Sequence, residues 1–220
     1  MSEGSSPMIR IWDLPTRLFH WALALAAIAL LATGKIGGDA MQWHARLGYC
    51  VGALVLFRIA WGFAGGHWSR FTTFPPSPRR AWRYAQGGPA TCAGHNPMGA
   101  LSVYAMLLFF LAQVASGLFS ETKEDFAGPL NSLVSHATSH WLTGYHKNVG
   151  QWILIALVLL HLAAIAFYAW RGRNLVAAMV HGDQAADGPP SRDDAGARVR
   201  ALALLALAAF AMWGVVRLGG

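Results

Sequence analysis

The chain has 220 residues, of which 55% are hydrophobic and only 12% charged; a water-soluble domain carries roughly twice that share of charge. A formal net charge of +7 would invite a nucleic-acid partner in a soluble protein, but here arginines flanking apolar spans account for it, so nucleic acid is set aside. Ten tryptophans and several near-continuous apolar runs predict an all-α integral membrane protein with aromatic belts at the lipid surfaces, without the period-2 strands of a barrel.

Residues 1 to 8 open as a small, polar tail, MSEGSSP, expected to be disordered. Leu14 to Thr33 is the first span, since roughly 20 residues at helical rise cross the hydrocarbon core. A cleavable signal peptide is the competing reading, but a signal peptide needs no histidine, and His20 sits within the segment. The short connection GKIGGDAMQW makes the second span, His44 to Ala64, an antiparallel neighbour. Residues 65 to 97 hold Arg70, Arg79, Arg80 and Arg83 among prolines and aromatics, a basic loop expected to lie on headgroups and not to cross.

Met98 to Phe119 is the third span, without histidine or charge. The stretch 120 to 145 begins acidic (Glu121, Glu124, Asp125) and carries His136 and His140, an i, i+4 pair able to bind a metal if helical but expected in a solvated loop. Val149 to Trp170 is the fourth span, preceded by His146 and containing His161. Residues 183 to 198 read as a flexible polar linker. The last segment, 199 to 220, carries an Ala/Leu-rich fifth span, Val199 to Val216, whose small residues suit helix packing. Cys50, in a span, and Cys92, in a loop, form neither CxxC nor CxxCH, which excludes covalent c-type haem attachment and gives no support for a disulfide. No GxGxxG, P-loop or HExxH is present, leaving nucleotide chemistry and zinc proteolysis unsupported.

Orientation follows from Lys and Arg counts. With the N-terminus inside, Arg10, Arg17, Arg70, Arg79, Arg80, Arg83, Arg171, Arg173, Arg192, Arg198 and Arg200 are cytoplasmic, against Lys35, Arg46, Lys123, Lys147 and Arg217 outside. That asymmetry predicts a multi-pass protein with its N-terminus cytoplasmic and, with five spans, its C-terminus on the opposite side.

The histidines then fall at two depths. His44 and His146 lie at the outer surface; His20 lies toward the cytoplasmic leaflet, and His161, fifteen residues after His146, is roughly 22 Å deeper along a helix. A polar side chain in hydrocarbon needs a partner, and two facing imidazoles across a bundle can hold an iron porphyrin. Gly48 and Gly150 each follow an outer histidine by four residues, on the same helix face, where a missing Cβ makes room for a macrocycle. Arg58 shares the face of His44 at the depth of the inner pair; a haem propionate or edge is one candidate partner, the cytoplasmic headgroups reached by snorkelling the other.

At this point the chain resembles the bacterial cytochrome b561 family, including the b-type cytochrome subunits of nickel-iron hydrogenases. The resemblance rests on RLFHW, HARLGYCVGALVLFRIAWGF, GHNPMGALSVYAML, GPL, HKNVG and LLHLAAIAFY, and covers about residues 9 to 182. It implies a four-helix bundle holding two b-type haems, with His20 and His161 ligating one and His44 and His146 the other. The fifth span and the short first connection depart from the common core.

The expected function is transmembrane electron transfer between the quinone pool and a redox partner, a periplasmic c-type cytochrome or a hydrogenase. Bis-histidine ligation leaves no open iron position, so the haems carry electrons and do not activate a substrate. A haem-free membrane anchor or transporter, with histidines binding a divalent metal or relaying protons, is the alternative. The lack of acidic residues within the spans speaks against it. An enzyme in its own right, oxidising quinol with a small oxidant, is a further reading that turnover of the single chain would distinguish.

Overall fold

The computed structural model describes residues 7–88, 93–122 and 126–219. Residues 1–6 of the expected tail, Cys92, and Lys123, Glu124 and Asp125 of the acidic stretch lie outside the described residues. In chain order the elements are β1 (Met8–Arg10), α1 (Leu14–Ile36), α2 (Ala40–Ala64), α3 (Pro78–Ala85), α4 (Pro97–Leu118), α5 (His136–Gly144), α6 (Gln151–Trp170), α7 (Leu175–His181), β2 (Asp183–Ala185) and α8 (Ala195–Arg217). A π-helical turn, Tyr145–Gly150, joins α5 to α6. Among the described residues, α1, α2, α4, the run His136–Trp170 and α8 are long and apolar enough to cross a membrane.

The helix starts follow from capping chemistry. Asp13 Oδ1 accepts from Thr16 N at the head of α1, where Pro15 occupies the first turn. Asn96 Oδ1 accepts from Gly99 N at the head of α4, which begins with Pro97. Ser77, Ser135, Asn174 and Asp194 cap α3, α5, α7 and α8 in the same way. α7 ends at Gly182, whose φ of 93° is the left-handed geometry that favours glycine.

The chain divides into two compact units. The first comprises residues 1–19, 58–105 and 159–203, the second residues 20–57, 106–158 and 204–220. In the first unit β1 and β2 pair antiparallel, with Met8 opposite Ala185 and Arg10 opposite Asp183. Ile11, Trp12, Trp68, Ala178 and Ala186 form the apolar cluster beside this ladder. The segment 183–198, expected as a flexible linker, is held instead. Ser191 donates to Ile11 O at 2.7 Å, Trp68 Nε1 donates to Pro189 O at 2.9 Å, and Asp193 pairs with Arg10 and Arg198, each at 3.4 Å. Apart from Arg198, the partners (Arg10, Ile11 and Trp68) lie more than a hundred residues away in sequence, so composition gave no sign of them.

Asp13 organises the same unit. Fully buried, it accepts from Thr16 N and Trp61 Nε1 on Oδ1 and from Gly66 N and Ser69 Oγ on Oδ2, at 2.8 to 3.2 Å. Four donors on two oxygens satisfy a carboxylate that would otherwise be costly to bury. A Cβ at Gly66 would stand 2.5 Å from Asp13 Oδ2, so the position is restricted to glycine by close approach.

In the second unit Ala53, Leu118, Leu130 and Met212 form the buried cluster, with Tyr49, Val114 and Val216 against it. Met212 brings α8 onto α2, where a Cβ at Gly52 would meet its Sδ at 2.7 Å. The helix containing His146 begins at His136, ahead of the expected Val149, and this corrects the solvated loop expected for His136 and His140. Both histidines are exposed on α5. Ser135 supplies the cap that starts the helix there, and His136 Nδ1 lies 2.6 Å from Glu121 Oε1.

Candidate functional site

His44 on α2 and His146 in the π-helical turn belong to the second unit, and their imidazoles face each other with ring centres 6.0 Å apart and planes at 82°. His44 Nδ1 lies 3.0 Å from Leu30 O on α1, and His146 Nδ1 lies 2.9 Å from Gln113 O on α4. A carbonyl only accepts, so each Nδ1 carries the proton and each Nε2 keeps its lone pair for a metal. This is the arrangement by which a backbone acceptor fixes the tautomer and orientation of a ligating imidazole.

Two glycines let the rings come this close to the neighbouring helices. A Cβ at Gly34 on α1 would lie 3.1 Å from His44 Cε1, and one at Gly117 on α4 would lie 2.9 Å from His146 Cε1. Gln113 acts twice, its carbonyl accepting from His146 and its side-chain Nε2 donating to His146 O at 2.9 Å. Ser116 Oγ stands 3.2 Å from His146 Nδ1. Of the two glycines singled out in the sequence, Gly48 faces open space, with no heavy atom within 4 Å of a Cβ built there. Gly150 is buried against the Gln113 side chain and the Tyr145 ring.

The donor set fits a haem iron. An imidazole nitrogen binds a first-row metal at roughly 2 Å, and each ring centre lies about 1 Å beyond, so two imidazoles on one iron have centres roughly 6 Å apart. The observed spacing, the proton on each Nδ1 and the open space at Gly48 agree with that requirement. Among the described residues no group of three or more His, Cys, Asp or Glu side chains is placed to hold a bare metal ion.

His20 and His161 fall in different units. His20 on α1 makes an edge contact with Trp21, ring centres 5.1 Å apart. In the first unit, His161 on α6 lies within electrostatic reach of His95, as does Arg58. Arg58 is buried, its guanidinium 5.2 Å from the Phe71 ring centre. His95 packs on Trp12 and Phe74 at 4.7 and 4.3 Å between ring centres. Its burial, with Arg58 and His161 nearby, pushes its pKa down to about 3, so the ring is neutral at physiological pH. Next in sequence, Asn96 donates to Tyr168 Oη at 2.8 Å, and that hydroxyl also meets Tyr84 Oη at 2.8 Å.

His95 lies within the family-like string GHNPMG but has no local signal for a role, and neither do Asp13, Gly34, Gly117 or Gln113. The Asn-Pro pair was a readable helix start. Which glycine meets an imidazole depends on how helices distant in sequence pack, and no local pattern carries that.

Five long apolar helices, with two imidazoles brought together among them, define a helical membrane protein of the kind to which membrane cytochromes belong. The family model described as "Prokaryotic cytochrome b561" matches residues 11–182, and the chain belongs to that family. It is 25% identical over 210 residues to the Probable Ni/Fe-hydrogenase B-type cytochrome subunit of Azotobacter vinelandii, covering 79% of this chain and 87% of the relative. It is 22% identical over 219 residues to the protein of the same name from Bradyrhizobium diazoefficiens, covering 81% of this chain and 86% of the relative. The Probable Ni/Fe-hydrogenase 1 B-type cytochrome subunit of Escherichia coli K12 is 22% identical over 188 residues, covering 69% and 79%. No solved structure matches the chain significantly. α8 lies beyond the matched residues. With five apolar helices and this family, the chain is a multi-pass membrane protein that binds haem and serves membrane electron transport.

Proposed function

We propose that the chain passes electrons across a bacterial inner membrane, exchanging them with the quinone pool and with a redox partner. A hydrogenase is favoured by the names of the relatives, and a periplasmic c-type cytochrome is the other partner class. The observation that carries this reading is the facing of His44 and His146 at 6.0 Å, with each Nδ1–H bonded to a helix carbonyl. When bound, b-type haem supplies a one-electron iron couple that bis-histidine ligation closes to O₂ and to substrates.

The chain's own residues divide the work. His44 and His146 hold the outer haem, Gly48 leaves room beside it, and Gly150 keeps Gln113 against the turn that carries His146. His20 and His161 hold the inner haem on the grounds of topology and family resemblance, within a dihaem domain of residues 9–182. The N-terminus is cytoplasmic and the C-terminus periplasmic, by the distribution of Lys and Arg. The Leu30 and Gln113 carbonyls fix the orientation and tautomer of their imidazoles.

The test is anaerobic. Protein reduced with dithionite, freed of excess reductant and mixed with a short-chain quinone should lose its reduced b-type α-band. A band that neither quinone nor an oxidised c-type cytochrome discharges would contradict the reading.

A further inference from the structure

We propose that Arg58 and His95 together bind a carboxylate, the propionate of the haem that His161 ligates, an assignment that rests on the functional reading above. All of these residues belong to the first unit. Arg58 is only 3% exposed, and its Nη1 has no hydrogen-bond partner among the described residues. A buried guanidinium needs an anion as well as an aromatic face, and the Phe71 ring supplies only the face.

The obvious internal anion is Asp13, whose charge bears on Arg58. Its oxygens are already engaged, each with two donors from Thr16, Trp61, Gly66 and Ser69. No ion pair joins it to Arg58 among the described residues. Asp13 therefore balances charge at a distance and leaves the Arg58 fork open.

His95 supplies the second open donor. It is buried between Trp12 and Phe74, and its Nδ1 likewise has no hydrogen-bond partner among the described residues. Phe74 packs on His95 and, at 5.8 Å between ring centres, on Phe71, whose ring carries the Arg58 guanidinium, while the neighbouring Asn96 bonds Tyr168 on the helix of His161. A cationic fork and an unpartnered imidazole nitrogen in one buried aromatic cluster call for an acceptor with two oxygens and a negative charge, which a carboxylate provides. A water or a quinone carbonyl offers one neutral oxygen and leaves most of the donors of the fork and of His95 unmatched.

The experiment uses the full-length holoprotein, loaded with haem labelled with ¹³C at the propionate carboxyls, and records reduced-minus-oxidised infrared difference spectra. Arg58→Lys keeps the charge but loses the planar fork, and His95→Phe keeps the aromatic packing but loses the donor. In both variants the haem count should hold and the isotope-sensitive carboxylate band should shift from its wild-type position. A labelled band identical in the wild type and both variants would overturn the assignment while leaving the functional reading intact. Wild-type protein without haem would overturn both. If the His95→Phe variant failed to assemble, the Arg58→Lys band alone would decide.

Discussion

His44 and His146 each commit Nδ1 to a backbone carbonyl, which leaves Nε2 free to serve as the proposed haem ligand. Replacing His146 with Ala should lower the haem content by one per chain and leave the other haem in place, as counted by extraction from purified protein. The glycines beneath the rings are equally exacting. Gly117→Val places a Cβ 2.9 Å from His146 Cε1, and the imidazole has no route past the added bulk without leaving its carbonyl. The expected result is loss or spectral perturbation of the same haem with helical content retained by circular dichroism. Asp13 belongs to stability and not to ligation. Asp13→Ala would strand Thr16 N, Trp61 Nε1 and Gly66 N, while Ser69 Oγ keeps its contact with Thr16 Oγ1; three buried donors at about 1–3 kcal/mol each give an expected loss of at least about 3 kcal/mol in thermal or denaturant unfolding. His44 and His146 were readable as a candidate pair in the sequence because the topology brings them to the same depth, each four residues ahead of a glycine on the same helix face. Asp13 was not, because Trp61, Gly66 and Ser69 reach it from about fifty residues away.

The element that most shapes the site is the π-helical turn Tyr145–Gly150. A turn wound i to i+5 interrupts the regular α-helix and changes where its side chains emerge, and such turns are frequent at functional sites. His146 sits within this one. Its carbonyl is met by Gln113 Nε2. Deleting the exposed Lys147 restores a uniform α-helical register and should turn His146 away from His44. Haem content would then fall by one per chain with the membrane spans unchanged. A deletion variant that keeps its full haem content would show that the turn is incidental. The hydrophobic run from Val149 onward was plain in the sequence, whereas the turn and the helix ahead of it were hidden by a polar stretch that read as loop. α8 makes the opposite case, since its apolar character was evident and its docking partner was not. Met212→Ala should reduce stability by about 2 kcal/mol through the cavity left beside Ala53 and Leu118. Haem content should stay unchanged, because this cluster includes neither His44 nor His146.

At the scale of the whole molecule, the five apolar helices were legible because hydrocarbon thickness fixes their length and backbone satisfaction fixes their form. The ladder of β1 with β2 was not. Its strands are three residues each and lie some 170 residues apart, so neither has a local signature. It ties the start of the chain to the segment after α7 and, with Asp193, gathers Arg10, Arg17 and Arg198. The central claim is that this fold holds two b-type haems between histidine pairs, and the most direct measurement is the haem content of the purified chain with its reduced-minus-oxidised spectrum. The account predicts two non-covalent b-type haems per wild-type chain and one in His44→Ala. A wild-type chain purified without haem from cells well supplied with it, or a His44→Ala variant that retains both haems, would contradict it.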